Sequence, residues 1–395
     1  MIQHKILIMG AGKIGVTVAS LLSRTGDYIS YLADVSKPKD LPIINNNPIN
    51  YIALDIKKSD EIKSFITLNN IDAIVSCLPY NLTITVAKIA YECNIHYFDP
   101  TEDVATTNMV MELAKNSKAT FVPQCGLAPG FISIAANSLT KGFDEIEHVK
   151  MRVGALAQNT NNTLQYALTW SIDGLINEYI HPSIVIENGK KTIAKSLSGL
   201  ESLNIANETF EAFHTSGGVG SLVDSYVSKV KNMDYKTIRY PGHCNKISFL
   251  LDDLKLSDNP ELVKQILSRI LPHSNDDKVI VYVAVQGYCD SKLVETSYIN
   301  VLYPEIIDGK TFTAIQMTTA SGICTMIDKV LHEKQLFGLV KQEDLSLQSF
   351  LNNRFGKYYL GDGNHVNTGL DESMKVFASN NSNNDYYLQA VSNNH

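Results

Sequence analysis

Short apolar runs alternate with amphipathic segments through the N-terminal part of the chain. Each run has the length and the continuous apolar character of a strand that is buried on both faces. The segments between them carry apolar side chains at helical spacing, as at Leu82, Val86 and Ile89. The strand-like runs are 5–9, 28–33, 51–54, 73–76, 95–98 and 119–122. This alternation predicts an α/β fold with a doubly wound parallel sheet, a Rossmann dinucleotide-binding domain.

The pattern changes after residue 147, where longer strand-like segments replace the short runs. Residues 149–156, 279–288 and 297–303 are alternating or continuous in apolar character, and 189–242 is a polar, glycine-rich span. Such segments predict a second, α+β domain built on a mixed or antiparallel sheet. The predicted organisation is a dinucleotide-binding domain over 1–124, an α+β domain for substrate binding and dimerisation over 125–312, a helical segment returning to the first domain over 313–370 and a flexible tail over 371–395.

A glycine-rich turn joins the first predicted strand to the first predicted helix. It reads Gly10-Ala11-Gly12-Lys13-Ile14-Gly15, a GxGxxG turn, and its six residues are predicted to bind a dinucleotide. Gly10 allows a tight turn, Gly12 lets the backbone approach a pyrophosphate, and Gly15 lets the helix pack closely on the strand. The N–H groups and the positive dipole end of the helix would bind the phosphates.

An acidic residue follows the second predicted strand. Asp34 lies about twenty residues past the turn, where its carboxylate would accept the ribose hydroxyls of the adenosine. A carboxylate there favours NAD over NADP because it repels a 2′-phosphate. Ser36, Lys37 and Lys39 follow closely, so NADP stays open. Further cofactor contacts are predicted where later strands end, at Asp55, Ile56, Cys77, Leu78 and Pro79, although Asp55 has a solvent-facing aspartate as its alternative.

Composition and charge narrow the class of protein. The chain has 395 residues, 44% hydrophobic and 19% charged, which is ordinary for a globular protein and long enough for two domains. A formal net charge of −7 argues against nucleic-acid or anionic-membrane partners. Because no signal sequence and no long apolar segment is seen, a cytoplasmic protein without membrane attachment is expected. The six cysteines form no CxxC pair, so neither a metal site nor a disulfide framework is expected.

Five motifs, in this order along the chain, carry a resemblance to a known family. They are the GxGxxG turn, Cys125-Gly126-Leu127-Ala128-Pro129-Gly130, Arg152-Val153-Gly154, Thr215-Ser216-Gly217-Gly218 and Arg239-Tyr240-Pro241-Gly242-His243. Together they resemble the saccharopine dehydrogenase family and, within it, the lysine 6-dehydrogenase subgroup. The resemblance implies a nicotinamide-binding Rossmann domain, an α+β domain and an active site in the cleft between them. It also implies NAD(P)-dependent interconversion of an amine and an imine, followed by hydrolysis of the imine.

Two departures from the pattern of the saccharopine-forming members bear on the substrate. Ala128 stands where the family loop GLDPG has an acidic residue, and Ser216-Gly217-Gly218 lies near the position of a family Asn-Arg-Asp sequence. Both departures remove polar groups that would hold the glutamate-derived arm of saccharopine. The expected substrate is therefore lysine or a lysine-derived amino acid, with saccharopine and carboxynorspermidine as the alternatives.

The expected chemistry needs a group that removes a proton from the substrate ammonium and a group that later activates water. Asp99 and Glu102, after the fifth predicted strand, and His243 are the candidate catalytic residues. Arg239 is predicted to bind the α-carboxylate of the substrate, and an ion pair within the protein is the alternative. For His243 the alternative is a structural histidine.

The remaining candidates would line the substrate pocket. They are Tyr80, Cys125, Gly126, Ser216 and Gly217. Cys125 has no histidine nearby in sequence and the chemistry needs no thioester, so a pocket wall is favoured over a nucleophile. Tyr80 stands at a predicted helix start, where packing is the alternative.

Two further expectations concern assembly and functional class. The strands of the second domain are too few to bury both faces and both edges, so a homodimer formed through that sheet is expected. The complete second domain, with its Arg239 and His243 segment, favours an enzyme acting on a small amino acid. A protein that binds NAD without turnover is the alternative.

Overall fold

The structure is a computed structural model that describes residues 3–38, 43–44, 47–332 and 337–360. The chain folds into two compact units. The described parts of 1–131, 304–345 and 353–356 form unit 1, and those of 132–303, 346–352 and 357–395 form unit 2. The predicted tail, 371–395, and the end of the predicted helical segment, 361–370, lie outside the described residues.

Unit 1 begins with a six-stranded parallel sheet in the order β5-β2-β1-β6-β7-β8. Ile6, Leu7 and Ile8 of the central strand are fully buried, which explains its continuous apolar character. The predicted Rossmann fold is confirmed, and all six predicted strands lie in this sheet. The elements are β1 (His4–Met9), α1 (Lys13–Ser23), β2 (Tyr28–Asp34), β3 (Ile43–Ile44), β4 (Asn47–Pro48), β5 (Asn50–Ala53), α2 (Ser59–Asn69), β6 (Ala73–Ser76), α3 (Tyr80–Cys93), β7 (His96–Phe98), α4 (Val104–Ala114) and β8 (Phe121–Val122).

Unit 2 is built on an eight-stranded mixed sheet, which confirms the predicted second fold. Six strands follow the order β11-β10-β14-β9-β15-β16, and the hairpin β12–β13 joins them where β13 pairs with β14. β9 and β14 run parallel, and the other neighbours are antiparallel. The elements are α5 (Phe131–Leu139), β9 (Glu145–Ala157), α6 (Ile172–Ile180), β10 (Ser183–Glu187), β11 (Lys190–Ala194), β12 (Glu201–Ile205), β13 (Glu208–His214), α7 (Leu222–Tyr226), β14 (Val230–Arg239), α8 (His243–Ser248), α9 (Pro260–Ile270), β15 (Asp277–Cys289) and β16 (Lys292–Leu302).

The polar, glycine-rich span 189–242 contains four strands, β11 to β14, that the sequence analysis did not identify. β11 and β12 are exposed along much of their length, so polar residues obscure the alternation that would mark them. β14 lies inside the sheet but carries Lys236 and Arg239, and these buried charges hide a core strand from a search for apolar runs.

The chain returns to unit 1 after β16. This part contains β17 (Glu305–Ile307), β18 (Lys310–Phe312) and α10 (Ala314–His332), while the later α11 (Leu347–Leu351) belongs to unit 2. α10 packs along α1, and Asp328 on it accepts hydrogen bonds from Tyr28 and from Arg354, each at 2.6 Å. A Cβ at Gly322 would lie 2.7 Å from the carbonyl oxygen of Gly126, so this glycine lets α10 approach the loop after β8.

The described residues lack two features that would bear on function. No helix among them is long and apolar enough to cross a membrane. The same residues hold no group of three or more His, Cys, Asp or Glu side chains arranged to bind a metal ion. All six cysteines are free thiols.

Candidate active site

The three glycines of the turn in unit 1 have different roles, some structural and one in binding. Gly10 has a φ of +103°, and a Cβ there would lie 2.6 Å from the carbonyl oxygen of Cys77. A Cβ at Gly15 would collide with the carbonyl oxygen of Gly10. A Cβ at Gly12 would meet no atom within 4 Å. The first and third glycines are therefore required by the fold, whereas the second leaves room for a ligand.

The N-terminus of α1 suits an anion. The helix begins at Lys13 with Gly12 as its N-cap, no side chain caps it, and its first turn has no acidic residue. N–H groups at such a helix end and the helix dipole attract negative charge. A dinucleotide pyrophosphate fits this combination of an open glycine and an uncapped helix end.

Asp34 contacts the turn directly. Its Oδ2 accepts a hydrogen bond from the N–H of Ala11 at 2.8 Å, and its Oδ1 accepts a longer one from Ser36 at 3.4 Å. The side chain is half-buried, so lone pairs remain accessible for ribose hydroxyls. Asp34 thus also joins the end of β2 to the glycine turn. Of the nearby cations, Lys37 is exposed and Lys39 lies outside the described residues.

The later cofactor candidates differ in what they contact. Asp55 Oδ1 accepts a hydrogen bond from a backbone N–H two residues later at 2.9 Å, and Ile56 is buried in the core of the unit. The N–H of Cys77 donates to the last residue of β1 at 2.8 Å. Leu78 packs against the same core, and Pro79 is the exposed N-cap of α3. Their cofactor contacts remain predictions.

Asp99 is a fully buried carboxyl at the end of β7. Its Oδ1 accepts a hydrogen bond from the N–H of Thr101 at 2.8 Å. Within the described residues, its Oδ2 and the hydroxyl of Tyr97 are buried without a hydrogen-bond partner. Burial raises the pKa of Asp99 from 3.8 to about 6, against the opposing effect of the Thr101 bond. The Asp99 carboxyl and the Tyr97 hydroxyl still interact, because the hydroxyl of Tyr97 acts to lower the pKa of Asp99 against the effect of burial.

Glu102 and the start of α4 lie just beyond. Burial raises the pKa of Glu102 from 4.5 to about 7, with a smaller contribution from the carboxylate of Asp103. Asp103 is the N-cap of α4 and accepts from the N–H of Thr106 at 2.7 Å. The hydroxyl of Thr106 donates to the carbonyl of Tyr80, whose side chain is half-buried, at 3.4 Å. These contacts join the starts of α3 and α4.

The loop after β8 packs tightly against Asp99. The N–H of Cys125 donates to the carbonyl oxygen of Asp99 at 2.8 Å, and its thiol donates to the same oxygen at 3.3 Å. Burial raises the pKa of the Cys125 thiol well above its usual range, so the group is a neutral thiol rather than a thiolate nucleophile. A Cβ at Gly126 would lie 3.0 Å from Pro100. The Ala128–Pro129 peptide bond is cis.

A chain of hydrogen bonds in unit 2 links Arg239 to His243. The Nε–H of Arg239 donates to the hydroxyl of Tyr179 at 2.8 Å, and Tyr179 lies 3.0 Å from Nε2 of His243. Nδ1 of His243 lies 2.9 Å from the carbonyl oxygen of Leu164. All three side chains are at least 97% buried. Sequence analysis selected the two ends of this chain and missed Tyr179 between them.

The bonds of His243 define its protonation state. A carbonyl oxygen only accepts, so Nδ1 carries the proton and Nε2 accepts from Tyr179. Burial lowers the pKa of His243 from 6.5 to about 3, and the positive charge of Arg239 adds to the effect. His243 is therefore neutral at physiological pH, with both ring nitrogens already bonded.

Arg239 is a buried cation whose side-chain hydrogen bonds go to neutral groups. Its Nη1 donates to the carbonyl oxygen of Ile238 at 2.8 Å, and its guanidinium carbon lies 5.1 Å from the ring centre of Tyr166. Among the described residues no carboxylate oxygen lies within 4.0 Å of the guanidinium. Glu178 acts on it only through its longer-range charge. A permanently charged group is costly to bury without a partner, so this arrangement favours binding of an external anion.

The residues around Ser216 form a compact turn. The N–H of Ser216 donates to the carbonyl oxygen of Glu178 at 3.0 Å, and Gly217 has a φ of +87°. A Cβ at Gly218 would collide with the ring of Tyr235. The hydroxyl of Thr215 is buried with no hydrogen-bond partner in the described part of the chain. No cationic side chain occurs at 215–218.

Comparisons with known proteins agree with the fold and the motifs. The saccharopine dehydrogenase NADP binding domain matches residues 6–122, and the saccharopine dehydrogenase C-terminal domain matches residues 126–354. The chain belongs to the saccharopine dehydrogenase family. The family indicated by the motifs is confirmed, and an NAD(P) cofactor is supported by the first of these domains.

The known relatives of this chain have low sequence identity to it. Alpha-aminoadipic semialdehyde synthase of Rattus norvegicus is 22% identical over 62% of this chain and 28% of its own length. The Arabidopsis thaliana protein of the same name is 24% identical over 47% of this chain and 20% of its own length. The chain thus spans less than a third of these relatives. Saccharopine dehydrogenase (L-Glu forming) from Saccharomyces cerevisiae shares the fold, with a TM-score of 0.69 and 14% identity over 90% of this chain and 96% of that structure.

Several residues of the candidate active site could not be recognised as such from the sequence. Tyr166 and Tyr179 contact Arg239 from more than fifty positions away, and Trp170 donates to the hydroxyl of Tyr166 at 3.1 Å. An isolated aromatic residue in sequence is indistinguishable from a core residue. Only the tertiary structure brings these side chains to the arginine.

Proposed function

We propose that this protein is an NAD(P)-dependent oxidoreductase acting on the CH–NH or CH–NH2 group of lysine or a lysine-derived amino acid, as lysine 6-dehydrogenase does. The observation that carries the proposal is the buried guanidinium of Arg239, which lacks a carboxylate within 4.0 Å among the described residues. The carboxylate of an amino-acid substrate supplies the missing negative charge.

Unit 1 holds the dinucleotide in this proposal. The space at Gly12 and the uncapped start of α1 accommodate the pyrophosphate, and Asp34 accepts hydroxyls of the adenosine ribose. When bound, the nicotinamide supplies the acceptor for the hydride that leaves the carbon bearing the amine. The half-buried carboxylate of Asp34 favours NAD over NADP as the working cofactor.

Asp99 and Glu102 are the proposed proton-transfer groups. Their pKa values, raised to about 6 and about 7, lie where a carboxyl exchanges protons near neutral pH. A carboxylate in this range can take the proton of the substrate ammonium and later assist attack of water on the iminium carbon. His243 is the weaker candidate, because its ring nitrogens are both bonded and its pKa is lowered to about 3.

In the same proposal, substrate choice depends on the absence of an ionic side chain at Ala128 and at 216–218. Ala128 and Ser216-Gly217-Gly218 provide no ionic group for the second, glutamate-derived arm of saccharopine. Desolvating a carboxylate without a partner costs several kcal/mol, which corresponds to about a thousandfold in specificity. Lysine is therefore the preferred substrate.

Saccharopine is the second candidate substrate, and the relatives favour it. Two of them carry the name alpha-aminoadipic semialdehyde synthase, and the yeast structure is a saccharopine dehydrogenase. The two candidates differ in which substrate binds better, so they are separated by kinetics rather than by cofactor binding.

The test is kcat/KM, followed by nicotinamide absorbance, for lysine, saccharopine and carboxynorspermidine with NAD and with NADP. We expect lysine with NAD to be best. Ser216→Arg, which supplies a cation in the 215–218 segment, should shift the ratio towards saccharopine. It is a better variant than Gly217→Arg, because the φ of +87° at Gly217 strains any larger residue. Wild-type preference for saccharopine would reverse the substrate assignment, and absence of turnover with every amine would support the non-catalytic alternative.

A further inference from the structure

We infer that Tyr179 is a positioning residue, which, together with His243, orients Arg239 so that its free Nη2 end binds the substrate carboxylate. The inference rests on the proposed function for the identity of the substrate. It adds two residues, Tyr179 and its support His243, that act through Arg239 rather than on the reacting atoms. It also predicts that these residues affect binding of carboxylates and not the chemistry itself.

The direction of every hydrogen bond in the chain is fixed. Arginine only donates, so Tyr179 must accept from its Nε–H at 2.8 Å. The Tyr179 hydroxyl then has its own proton to give, and Nε2 of His243 at 3.0 Å receives it. The other ring nitrogen donates to the carbonyl of Leu164 at 2.9 Å. Each donor has one acceptor, so the tyrosine hydroxyl cannot turn without breaking a bond.

The guanidinium is held at two further points. Its Nη1 donates to the carbonyl of Ile238 at 2.8 Å, and its plane lies near the rings of Tyr166 and Tyr179, with centroid distances of 5.1 and 5.7 Å. Because Nε and Nη1 are both bonded within the protein, the planar group cannot rotate about its long axis. Nη2 has no hydrogen-bond acceptor among the described residues, so it is the end left for a ligand.

Arg152 in the same sheet shows what a structural arginine looks like. It is as deeply buried as Arg239, at 2% exposure. Its Nε donates to Glu201, while Nη1 and Nη2 donate to the carboxylate of Asp234 at 2.9 and 3.1 Å. All its ends are neutralised inside the protein. The fold can therefore pair a buried arginine fully, whereas one end of Arg239 has no partner in the part of the chain that the structure describes.

The experiment uses Trp170, the only tryptophan of the chain, as a reporter. Its indole N–H donates to Tyr166, whose ring contacts the guanidinium, so ligand binding at Arg239 should change its fluorescence. The full chain is titrated with lysine and with 1,5-diaminopentane, which is lysine without its carboxylate. The variant Tyr179→Phe keeps the ring and removes the hydroxyl. Tyr298→Phe is the matched control, because it removes an equally buried hydroxyl that donates to the carbonyl of Tyr359 at 3.1 Å.

We expect Tyr179→Phe to weaken lysine binding about tenfold and to leave diamine binding unchanged. In turnover, KM for lysine should rise while kcat stays within about twofold. Tyr298→Phe should leave the affinity ratio of the two ligands at the wild-type value. His243→Asn keeps a donor for Leu164 and removes the acceptor for Tyr179. It should also weaken lysine binding, by a smaller factor, and it replaces Tyr179→Phe if that variant does not fold.

The outcomes separate this inference from the proposed function. Equal loss of lysine and diamine binding in Tyr179→Phe, or no loss of either, would overturn the positioning role. Wild-type protein that binds lysine no better than the diamine would overturn it as well, whatever the turnover. Carboxylate-selective binding that depends on Tyr179, seen without any nicotinamide reduction, would support the inference and contradict the proposed function.

Discussion

Asp99 in unit 1 and Arg239 in unit 2 are buried ionisable groups without a full set of partners among the described residues, and the two groups respond in opposite ways. Asp99 of unit 1 is a carboxyl that can take up a proton, so burial raises its pKa to about 6. Arg239 of unit 2 cannot lose its proton in practice, so it stays charged and lacks a nearby carboxylate among the described residues. The same desolvation therefore creates a proton-transfer group in one unit and an anion receptor in the other.

The contrast extends to pH dependence. The folded pKa of Asp99 lies above its ordinary value of 3.8, so its contribution to stability is present below pH 3.8 and is lost as the pH rises to about 6. The folded pKa of His243, beside Arg239, lies below its ordinary value of 6.5. Its contribution is therefore lost as the pH falls from 6.5 to about 3. Unit 1 is weakened by base and unit 2 by acid at these positions.

The largest expected effect comes from removing the receptor itself. Arg239→Met should lower kcat/KM for lysine about a thousandfold, because a charge-assisted contact to the carboxylate is lost. Its effect on 1,5-diaminopentane should be much smaller. Arg152→Met is the control for loss of a buried arginine: it should destabilise the fold by removing the cation that Asp234 and Glu201 share, without discriminating between the two substrates. Equal impairment of both substrates by Arg239→Met would contradict the assignment.

The second prediction distinguishes dinucleotide binding by unit 1 from lysine binding by unit 2. Gly12→Val should weaken dinucleotide binding a hundredfold or more while leaving the fold intact, since a Cβ there meets no protein atom within 4 Å. Lysine titration through Trp170 should be unchanged. Gly15→Ala is the comparison variant. Its Cβ would collide with Gly10, so its main effect should be a lower thermal stability. Isothermal titration with NAD and thermal unfolding measure the two outcomes; unaltered NAD affinity in Gly12→Val would remove the proposed phosphate site.

The third test addresses the buried carboxyl. Asp99→Asn removes the titrating group, so the stability of the wild type relative to the variant should fall by about 3 kcal/mol between pH 3.8 and 6, as follows from a shift of that size. Urea unfolding of both proteins across this range measures the difference. A constant difference would show that Asp99 does not titrate with a raised pKa, and an undiminished kcat in the variant would exclude it as the base.

The smallest expected effect concerns Asp34, a carboxylate of unit 1 that is half-buried, whereas Asp99 is fully buried. Asp34→Asn keeps an acceptor for the N–H of Ala11 and removes the negative charge. Affinity for NADP relative to NAD should rise about tenfold, because repulsion of the 2′-phosphate is relieved. Binding constants for both cofactors measure the ratio. Tighter binding of NADP than NAD by the wild type would show that Asp34 does not select the cofactor.

Much of unit 1 could be predicted from sequence because its signals are local. The strand Ala73–Ser76 was predicted at the bounds that the structure has, and the other five predicted strands of this sheet overlap the observed ones. Strand burial, glycine spacing and the acidic residue after β2 all lie within short stretches of chain. The candidate carboxyls Asp99 and Glu102 were found in the same way, from their place at a strand end.

The sequence by itself determined the fold family, the dinucleotide turn and the identity of Arg239 and His243 as candidates. It could not distinguish Arg239 from Arg152. Within the described residues, Arg152 has two carboxylate partners and Arg239 has none. Nor could the sequence reveal Tyr179, or the neutral state of His243. Helix and strand patterns depend on neighbours along the chain, whereas the charge and freedom of a buried side chain depend on desolvation and on partners brought from distant positions. That information exists only once the chain has folded.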